Sequence, residues 1–482
     1  MPKIPILLLA PLALAGCTVG PNYVRPDPAV VPAFRHAAAI DPRAADADWW
    51  RGFGDPLLVT LVDRAVAGNT DLAQARARID ESRAAARAAR AALLPVLDAT
   101  GSATTVSQSR DSAIGRIMQA VGGPRGYTEY AVGTQASWEI DLFGGLRRGR
   151  EAVRDDLAAT EANASAVAIA VAAETADAYL TLRAFQARLA VARDQEKNQA
   201  LLDDLVRQRV DQGIAADRDR NRTIAQLEGV RAAMAPLRAG IEAQLNRLDV
   251  LVGDPPGSNR ALLVDARPVP AAPMPAGSAE AADLIRRRPD IVASERRLAA
   301  SSARIGVAIA DYYPRLSLSG LFGVASLGTS NLFTGGAVQA SGGAGLRWRL
   351  FDFGRVDAEV AGARGRQAEA LAAWRGSVLT AAEDVETALA RLEEAHAERA
   401  TLDRQVAALV RARTQAQDAY AGGVIGLIDV TDANRELLAA SDRLAANRAE
   451  ESRAAVAAYR ALGGGWQGAP TSAPASTATH HR

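Results

Sequence analysis

The residues most suited to chemistry are two aspartates near the C-terminal end of the chain. Asp429 and Asp432 are three positions apart, so on a helix both carboxylates lie on one face. Like charges held together raise each other's pKa or recruit cations. The spacing alone favours a simpler interpretation, in which acidic residues at the start of a helix are stabilised by the helix dipole.

Other reactive groups do not form a catalytic or metal-binding pattern. The only lysines are Lys3 and Lys197, which excludes a phosphate loop ending in Gly-Lys and a lysine Schiff base. Net charge is +1 with both signs interspersed, so no basic surface for nucleic acid is indicated. The histidines lack zinc-ligand spacing, and there is a single cysteine: His36, His396, His480, His481 and Cys17. We therefore predict no enzyme, no metal site, no cofactor and no nucleic-acid partner.

The single cysteine follows an export signal. Lys3 precedes an apolar run too short to span a bilayer, which predicts a signal peptide over residues 1–16. The sequence Leu14-Ala15-Gly16-Cys17 resembles a bacterial lipobox, in which Cys17 becomes the acylated first residue. A secreted protein with one stray cysteine is the alternative. Thr18 in place of an aspartate favours the outer membrane, by resemblance to lipoprotein sorting. One lipid holds weakly, so we expect a second attachment.

Two stretches of 67 residues contain no proline. They are the elements that we expect to position the two aspartates. They are Leu146 to Gln212 and Arg355 to Ala421, with apolar residues at helical spacing. At about 1.5 Å per residue, each predicts a helix of roughly 100 Å, far too long for a compact domain. Alanine and arginine occur all round these helices, which favours the wall of a hollow tube over a solid bundle. A rod-like coiled coil is the alternative.

Four alternating segments predict strands at about 96–106, 129–143, 315–324 and 338–353. Their apolar faces are long enough to cross an outer membrane. An open four-stranded sheet leaves its edges unsatisfied in lipid, so several copies must pool strands. An ordinary β-sandwich with buried aromatics is the alternative, but it has no use for such long helices. Four aromatics where strands meet helices predict an interfacial belt: Trp138, Trp348, Phe351 and Phe353.

The chain is an internal duplication. Trp138, Gly144, Gly213 and Asp219 each recur 210 positions later, as Trp348, Gly354, Gly423 and Asp429. We predict a lipid-anchored tether over 17–54, a first repeat over 55–262, a linker over 263–277, a second repeat over 278–462 and a disordered tail over 463–482. Return helices are expected at 215–252, interrupted at Pro236, and at 424–462.

These features together resemble the outer-membrane channel lipoproteins of resistance-nodulation-division efflux systems, the NodT branch of the TolC-like family. The resemblance covers nearly the whole mature chain. It rests on Cys17-Thr18-Val19-Gly20-Pro21-Asn22-Tyr23, Trp49-Trp50, Leu284-Ile285-Arg286-Arg287-Arg288-Pro289-Asp290-Ile291, Ala293, Glu295, Leu298, Ile305-Gly306 and Tyr313-Pro314. It implies an α+β membrane protein: a homotrimer with a 12-stranded β-barrel, four strands per chain, continued by a long periplasmic α-helical barrel.

The resemblance also assigns roles at the predicted periplasmic tip. It implies that Asp429 and Asp432 form acidic rings at the pore aperture, and that Asp219 and Tyr420 are latch candidates. Ile425 stands where some members have a basic residue, which argues against a fully ionic latch. The candidate adaptor-docking turns are Gly213, Gly423, Val424, Gly426 and Leu427. Without the resemblance, the two turn glycines are simply positive-φ helix stops.

The function implied is a passive exit duct for drugs or other small toxic compounds. Its partners would be outer-membrane lipid, a periplasmic membrane-fusion adaptor and, indirectly or by tip contact, an inner-membrane pump that selects the cargo. A secretion duct for polypeptides is the alternative within the same class. A structural lipoprotein that spans the periplasm is the alternative from another class, and it would need no membrane strands.

Overall fold

A computed structural model describes residues 18–27, 48–273 and 287–464. The predicted signal peptide, Cys17, most of the tether and nearly all of the predicted tail lie outside these residues. The helices, in chain order, are α1 Pro56–Gly68, α2 Thr70–Ala91, α3 Ala113–Ala120, α4 Gly145–Asp211, α5 Asp217–Val252, α6 Arg260–Leu263, α7 Pro289–Ala310, α8 Arg355–Ala421 and α9 Leu427–Ala461. The strands are β1 Val96–Ser107, β2 Gly126–Ile140, β3 Arg315–Ser326 and β4 Val338–Arg347.

The four strands form one antiparallel sheet in the order β1-β2-β3-β4. Its register places the alternating apolar residues of all strands on one face. One row across the sheet is Gly101, Val132, Val324 and Val338. The neighbouring rows continue this face with Leu97, Ala99, Trp138, Leu318, Phe322, Ala344 and Leu346. The opposite face carries mainly small and polar side chains, such as Ser102, Gln135, Ser319 and Ser341.

Two strands end earlier than predicted. Strand β4 ends at Arg347 rather than at residue 353, and β2 ends at Ile140 rather than at residue 143. In both cases an aspartate beyond the strand caps the next helix. The Asp141 carboxylate accepts from the backbone N of Leu146 and Arg147 at 3.1 and 2.8 Å, and Asp352 caps α8 similarly. The alternation continues past these points, but the backbone has already turned to begin a helix.

The two long helices each contain 67 residues and begin 210 positions apart. Their return helices, α5 and α9, also begin 210 positions apart. The predicted interruption at Pro236 is wrong, because α5 runs through this proline. Met234 and Leu237 on either side are buried, and this packing supports the helix where the proline removes one backbone bond. The segment between β1 and β2 contains a short helix, α3.

The chain divides into two compact units that cut across the repeats. One contains the sheet, in residues 80–159 and 295–373, together with the described segment 18–26. The other contains the remainder, with a core around Leu58, Leu61 and Leu248. Each unit therefore takes elements from both halves of the sequence. Helix α4 contains a stretch that is long and apolar enough to cross a membrane, but 56% of this stretch is buried within the chain, as in a packed helix.

Candidate functional site

The two predicted docking turns have the same backbone geometry. Gly213 and Gly423 both have φ of 74°. The next residues, Ile214 and Val424, donate their backbone N–H groups to carbonyls at the end of the preceding long helix, at 2.8 and 2.9 Å. This is the usual helix stop with a left-handed residue, which only glycine adopts without strain. The duplication therefore extends to backbone conformation at both turns.

Replacing Gly213 by alanine should lower the free energy of unfolding by about 1–2 kcal/mol, because a Cβ is disfavoured at positive φ. Gly229, inside α5, is the matched control, since an added Cβ at either glycine meets no atom within 4 Å. Gly229→Ala should stabilise the chain by about 0.8–1 kcal/mol. Thermal unfolding followed by circular dichroism measures both. Equal shifts of the same sign would contradict the assigned conformation.

Asp219 and Asp429 have matching roles at the starts of the return helices. The Asp219 carboxylate accepts from the backbone N of Ala216 at 3.4 Å, and the Asp429 carboxylate accepts from that of Gly426 at 3.2 Å. Both thus lie in the first turn, where the helix dipole favours negative charge. The structural interpretation of Asp429 and a role at the pore are compatible, because its side chain also remains exposed.

Asp432 lies one turn further along α9. Its carboxylate is 3.3 Å from the guanidinium of Arg435; the Arg435 side chain is largely exposed and the Asp432 side chain about half exposed. Exposed pairs of this kind contribute little to stability. The pair does determine local charge, because Arg435 partly neutralises the carboxylate that was predicted for a ring.

Tyr420 is buried at the end of α8. It packs in a cluster with Leu202, Val206, Leu427 and Val430, against which Ile425 is partly buried. The Arg209 guanidinium lies over the Tyr420 ring, 4.3 Å from its centroid, and lies 3.4 Å from the Tyr420 carbonyl oxygen. A cation over an aromatic face is attracted by the ring quadrupole. Tyr420 therefore joins the ends of the two long helices.

The predicted latch residues lie around one cleft. Asp219 and Tyr420 both line a cavity of about 620 Å³, together with Arg209, Ile214, Arg218, Arg222 and Leu427. Among the described residues no hydrogen bond joins the two. Asp219 instead caps α5, and the polar contact to Tyr420 comes from Arg209. Sequence reasoning missed Arg209, although its position two residues before the end of α4 is typical of a basic residue near a helix C-terminus.

The predicted aromatic belt lies at the helix-bearing end of the sheet. The indole N–H of Trp138 donates to the Leu93 carbonyl, and that of Trp348 donates to the Tyr312 carbonyl, both at 3.0 Å. Each acceptor is two residues before the proline that leads into a strand. The same bond thus recurs in both repeats and fixes each ring at the strand end, as expected where an amphipathic ring lies at an interface.

Phe351 and Phe353 follow β4 and are almost fully exposed in the single chain. Phe353 has φ of 56°, the sole positive value outside glycine within the described ranges. A bulky residue in this region costs free energy and persists where the structure over-determines it. Here the Asp352 carboxylate accepts from the backbone N of Gly354 and Val356, which forces the turn. The two rings project from the junction without cover from their own chain.

The segment that follows Cys17 is bound to the sheet-bearing unit. Gly20 has φ of 90°, and a Cβ there would lie 2.4 Å from the Cα of Gly306. The buried Arg148 guanidinium donates to the carbonyls of Val19 and Gly20 and to the Asn22 side chain, at 3.1, 3.3 and 2.8 Å. We call residues Thr18–Arg25, with these contacts, the N-terminal clasp.

Glu295 holds the other end of the clasp. Its buried carboxylate lies 2.8 Å from Arg25 and 2.9 Å from Arg296, and it accepts from the Tyr23 hydroxyl at 3.3 Å. Burial, followed by the nearby Glu295 charge, raises the pKa of Tyr23 to about 12. Tyr23, Glu295 and Gly306 all belong to the motifs quoted above, and their contacts give those motifs a structural reason. Arg148 carried no sequence signal.

The clasp also reaches the junction of strand and helix. The backbone N of Val19 donates to the Phe143 carbonyl at 3.1 Å, and an added Cβ on Gly144 would meet Thr18 at 2.8 Å. Phe143 stacks on Tyr313 with ring centroids 4.5 Å apart. Thr18 thus lies against the residues that connect β2 to α4, beside the aromatic belt.

Comparison with protein-family models shows which family has this architecture. The model for outer membrane efflux proteins matches residues 61–254 and 281–464. The chain belongs to the outer membrane efflux protein family. The two matched stretches correspond to the two predicted repeats, with ends that differ by at most eight residues.

Individual relatives are similar over nearly their whole length. The chain is 32% identical to outer membrane protein OprJ of Pseudomonas aeruginosa over 471 residues, covering 95% of each chain. It is 28% identical to nodulation protein T of Rhizobium leguminosarum bv. trifolii over 458 residues, covering 94% of this chain and 96% of that protein. The solved outer-membrane channel OprN is 34% identical, with a TM-score of 0.87 over 94% of this chain and 100% of that one.

These likenesses confirm the resemblance, the fold class and the general function. The protein is an outer-membrane efflux channel of the bacterial envelope that extends into the periplasm, with the barrel and helical-barrel fold of its family. The family transports rather than catalyses. Another relative is a probable efflux pump outer membrane protein, TtgC of Pseudomonas putida, so the alternatives of a polypeptide duct and of a purely structural lipoprotein gain no support.

Proposed function

We propose that three copies form the exit duct of a tripartite pump, each adding four strands to one barrel. The observation that carries this is the sheet, which has a continuous apolar face that its own chain leaves exposed and two unpaired edges, β1 and β4. Pairing β4 of one copy with β1 of the next satisfies both edges, and repetition closes a ring. The small polar face then lines the lumen, and substrates pass through it chemically unchanged.

The duct is tested with the purified full-length chain in planar bilayers. Discrete conductance steps, together with a trimer mass in native mass spectrometry, are expected. Deletion in the source bacterium should lower tolerance to small toxic compounds. A protein that shows no pore under any condition, or that remains a monomer in detergent and lipid alike, would overturn the proposal.

The acidic residues of α9 contribute charge at the pore entrance in this proposal. Asp429→Asn keeps an oxygen that accepts from the backbone N of Gly426 and removes only the charge, so it should lower cation preference without loosening the helix start. Asp432→Asn should act in the same direction. Arg435→Gln should act in the opposite direction, because it frees the Asp432 carboxylate.

Reversal potentials in asymmetric KCl measure this preference, with a shift of several millivolts as the expected size. Asp219→Asn is the matched control, since Asp219 makes the same cap in the first repeat. If Asp219→Asn and Asp429→Asn shift the potential equally, or neither does, the assignment of the ring to Asp429 fails.

The adaptor meets the tip at the two helix turns in this proposal. Ile214 and Val424 are largely exposed and follow Gly213 and Gly423, so they offer equivalent apolar contacts in both repeats. Gly426 is exposed as well. Leu427 is buried in the cluster around Tyr420 and supports the turn from within rather than contacting a partner. These contacts determine which adaptor and pump assemble with the duct. Co-purification with candidate adaptors and pumps encoded nearby identifies them.

Lipid attachment at Cys17 is part of the same proposal. The clasp leads the chain to the strand–helix junction, where an acyl chain on the preceding residue reaches the bilayer. Cells fed a clickable palmitate should label the wild-type chain and leave Cys17→Ala unlabelled. Because the strands supply a second attachment, Cys17→Ala should still fractionate with the outer membrane. Labelling of Cys17→Ala would contradict the site.

A further inference from the structure

Helix α3 carries an apolar stripe that its own chain does not cover. Ile114 and Ile117 within the helix and Val121 at its C-cap are spaced for one face, and these residues are 60%, 64% and 72% exposed. Arg116 and Gln119 lie on the opposite face. The helix connects β1 to β2 and therefore lies beyond the last strand pair, Ser107 with Gly126, at the end of the sheet opposite the long helices.

Lipid tails do not reach this helix. Counted along β2 from the predicted belt residue Trp138, this face becomes polar at Thr128, whose hydroxyl pairs with that of Thr105 at 3.0 Å. Ten residues at about 3.3 Å each, tilted by about 40°, rise about 25 Å. This equals the apolar band of about 25 Å on outer-membrane barrels. The apolar band of the sheet therefore ends before α3, so protein, and not lipid, must cover the apolar stripe.

We propose that the three α3 helices of a trimer meet at the axis and close the outer mouth with their apolar stripes. This rests on the proposed trimer. Twelve strands about 4.8 Å apart and tilted by about 40° have a radius of about 12 Å. An eight-residue helix is about 12 Å long. Each α3 is therefore long enough to reach from the rim to the centre.

Continuity with the subunit contact supports this occupant. The segment that bears α3 continues directly from β1, the edge strand that pairs with the next copy. Three equivalent stripes brought together by the ring bury one another, whereas a single copy leaves them in water. An apolar constriction excludes water and ions, so the mouth conducts only while the helices are parted, and each conductance step includes their parting.

Cross-linking on intact cells tests the seal. Cys17 is the only native cysteine, so a single engineered cysteine is identifiable against the unmodified parent. With a short tris-maleimide reagent, Ile117→Cys should give a covalent trimer, and Gln119→Cys on the opposite face should give none. The axial contact would be overturned if Gln119→Cys gave a covalent trimer and Ile117→Cys did not. It would also be overturned if, in a double variant, Ile117→Cys cross-linked only to Phe333→Cys of the β3–β4 loop.

Two further measurements separate the seal from the trimer. Native mass spectrometry of Ile117→Cys reports the trimer itself. A trimer without the Ile117 cross-link refutes the seal alone, and a monomer refutes the duct. The second measurement compares Ile117→Cys alone with Ile117→Cys combined with Ile114→Asn and Val121→Asn. A membrane-impermeant maleimide should label the cysteine at least about tenfold faster in the combined variant. A tenfold change corresponds to about 1.4 kcal/mol of easier opening. Equal rates would contradict an apolar closure.

Discussion

Replacing Tyr420 by alanine should open the tip and raise single-channel conductance. The ring is buried among Leu202, Val206, Leu427 and Val430, so its removal leaves a cavity where both long helices end. Large-to-small changes of this kind cost about 3–5 kcal/mol in well-packed sites. The Arg209 guanidinium also loses the ring that it contacts. The turn from residue 421 to residue 426 should then separate from α4.

The control is Tyr420→Phe, which keeps the ring, its burial and its contact with Arg209. It should behave like the wild type in planar bilayers, because the contacts that hold Tyr420 are made by its ring and its backbone carbonyl. Hydrogen exchange should be faster at the turn in Tyr420→Ala alone. If Tyr420→Phe opens the channel as much as Tyr420→Ala, a hydroxyl contact is the latch and the ring packing is not.

Arg209→Gln distinguishes the two parts of this contact. It removes the cation above the ring but leaves the apolar cluster intact, so its effect should be smaller than that of Tyr420→Ala. A cation over an aromatic ring contributes about 0.5–2 kcal/mol, depending on how far it is desolvated. Comparing the conductance of the two variants therefore separates the contribution of ring packing from that of the cation.

Features that depend on local sequence were predictable. Both long helices follow from runs without proline that end at a glycine, and their starts and ends differ from the prediction by one residue at most. Strand alternation predicted which residues share a face, and the register places them there. Local pattern fails where one residue has two roles. Trp348 and Leu350 continue the alternation of β4, but Asp352 caps the next helix, and the strand has already ended at Arg347.

Contacts between distant parts of the chain were not predictable from one sequence. Arg188 in α4 binds Asp442 in α9 through two bonds of 2.7 and 2.9 Å, 254 positions apart. Arg209 meets Tyr420 across 211 positions. Arginines occur throughout this chain, so nothing marks these among the others. The resemblance supplied the family's tip residues, but it did not supply the arginine that holds one of them.

Replacing Gly20 by alanine should release the N-terminal clasp. An added Cβ would lie 2.4 Å from the Cα of Gly306 and 3.0 Å from its N, and both are backbone atoms that no side-chain rotation moves away. The positive φ of Gly20 adds strain of about 1–2 kcal/mol. Once the segment leaves, the buried Arg148 loses three acceptors and keeps the Glu151 carboxylate at 2.8 Å. Burial of an under-satisfied guanidinium adds further cost.

Gly54→Ala is the matched control, because Gly54 has φ of 65° and an added Cβ there meets nothing within 4 Å. It carries the strain without the clash. Chymotrypsin should cleave after Tyr23 at least about tenfold faster in Gly20→Ala, since the rate follows the population of the open segment. In Gly54→Ala the rate should match the wild type. Similar cleavage in both variants would mean that backbone strain, and not the contact with Gly306, governs the segment.

The same variant connects the clasp to the membrane. Val19 bonds to Phe143 beside the aromatic belt, so release of the segment frees the end that bears Cys17 from the strand–helix junction. Cleavage after Tyr23 in Gly20→Ala should then remove the palmitate label from the barrel, while the barrel itself stays in the outer membrane through its strands. Loss of the whole protein from the membrane after this cut would show that the lipid, and not the sheet, carries most of the attachment.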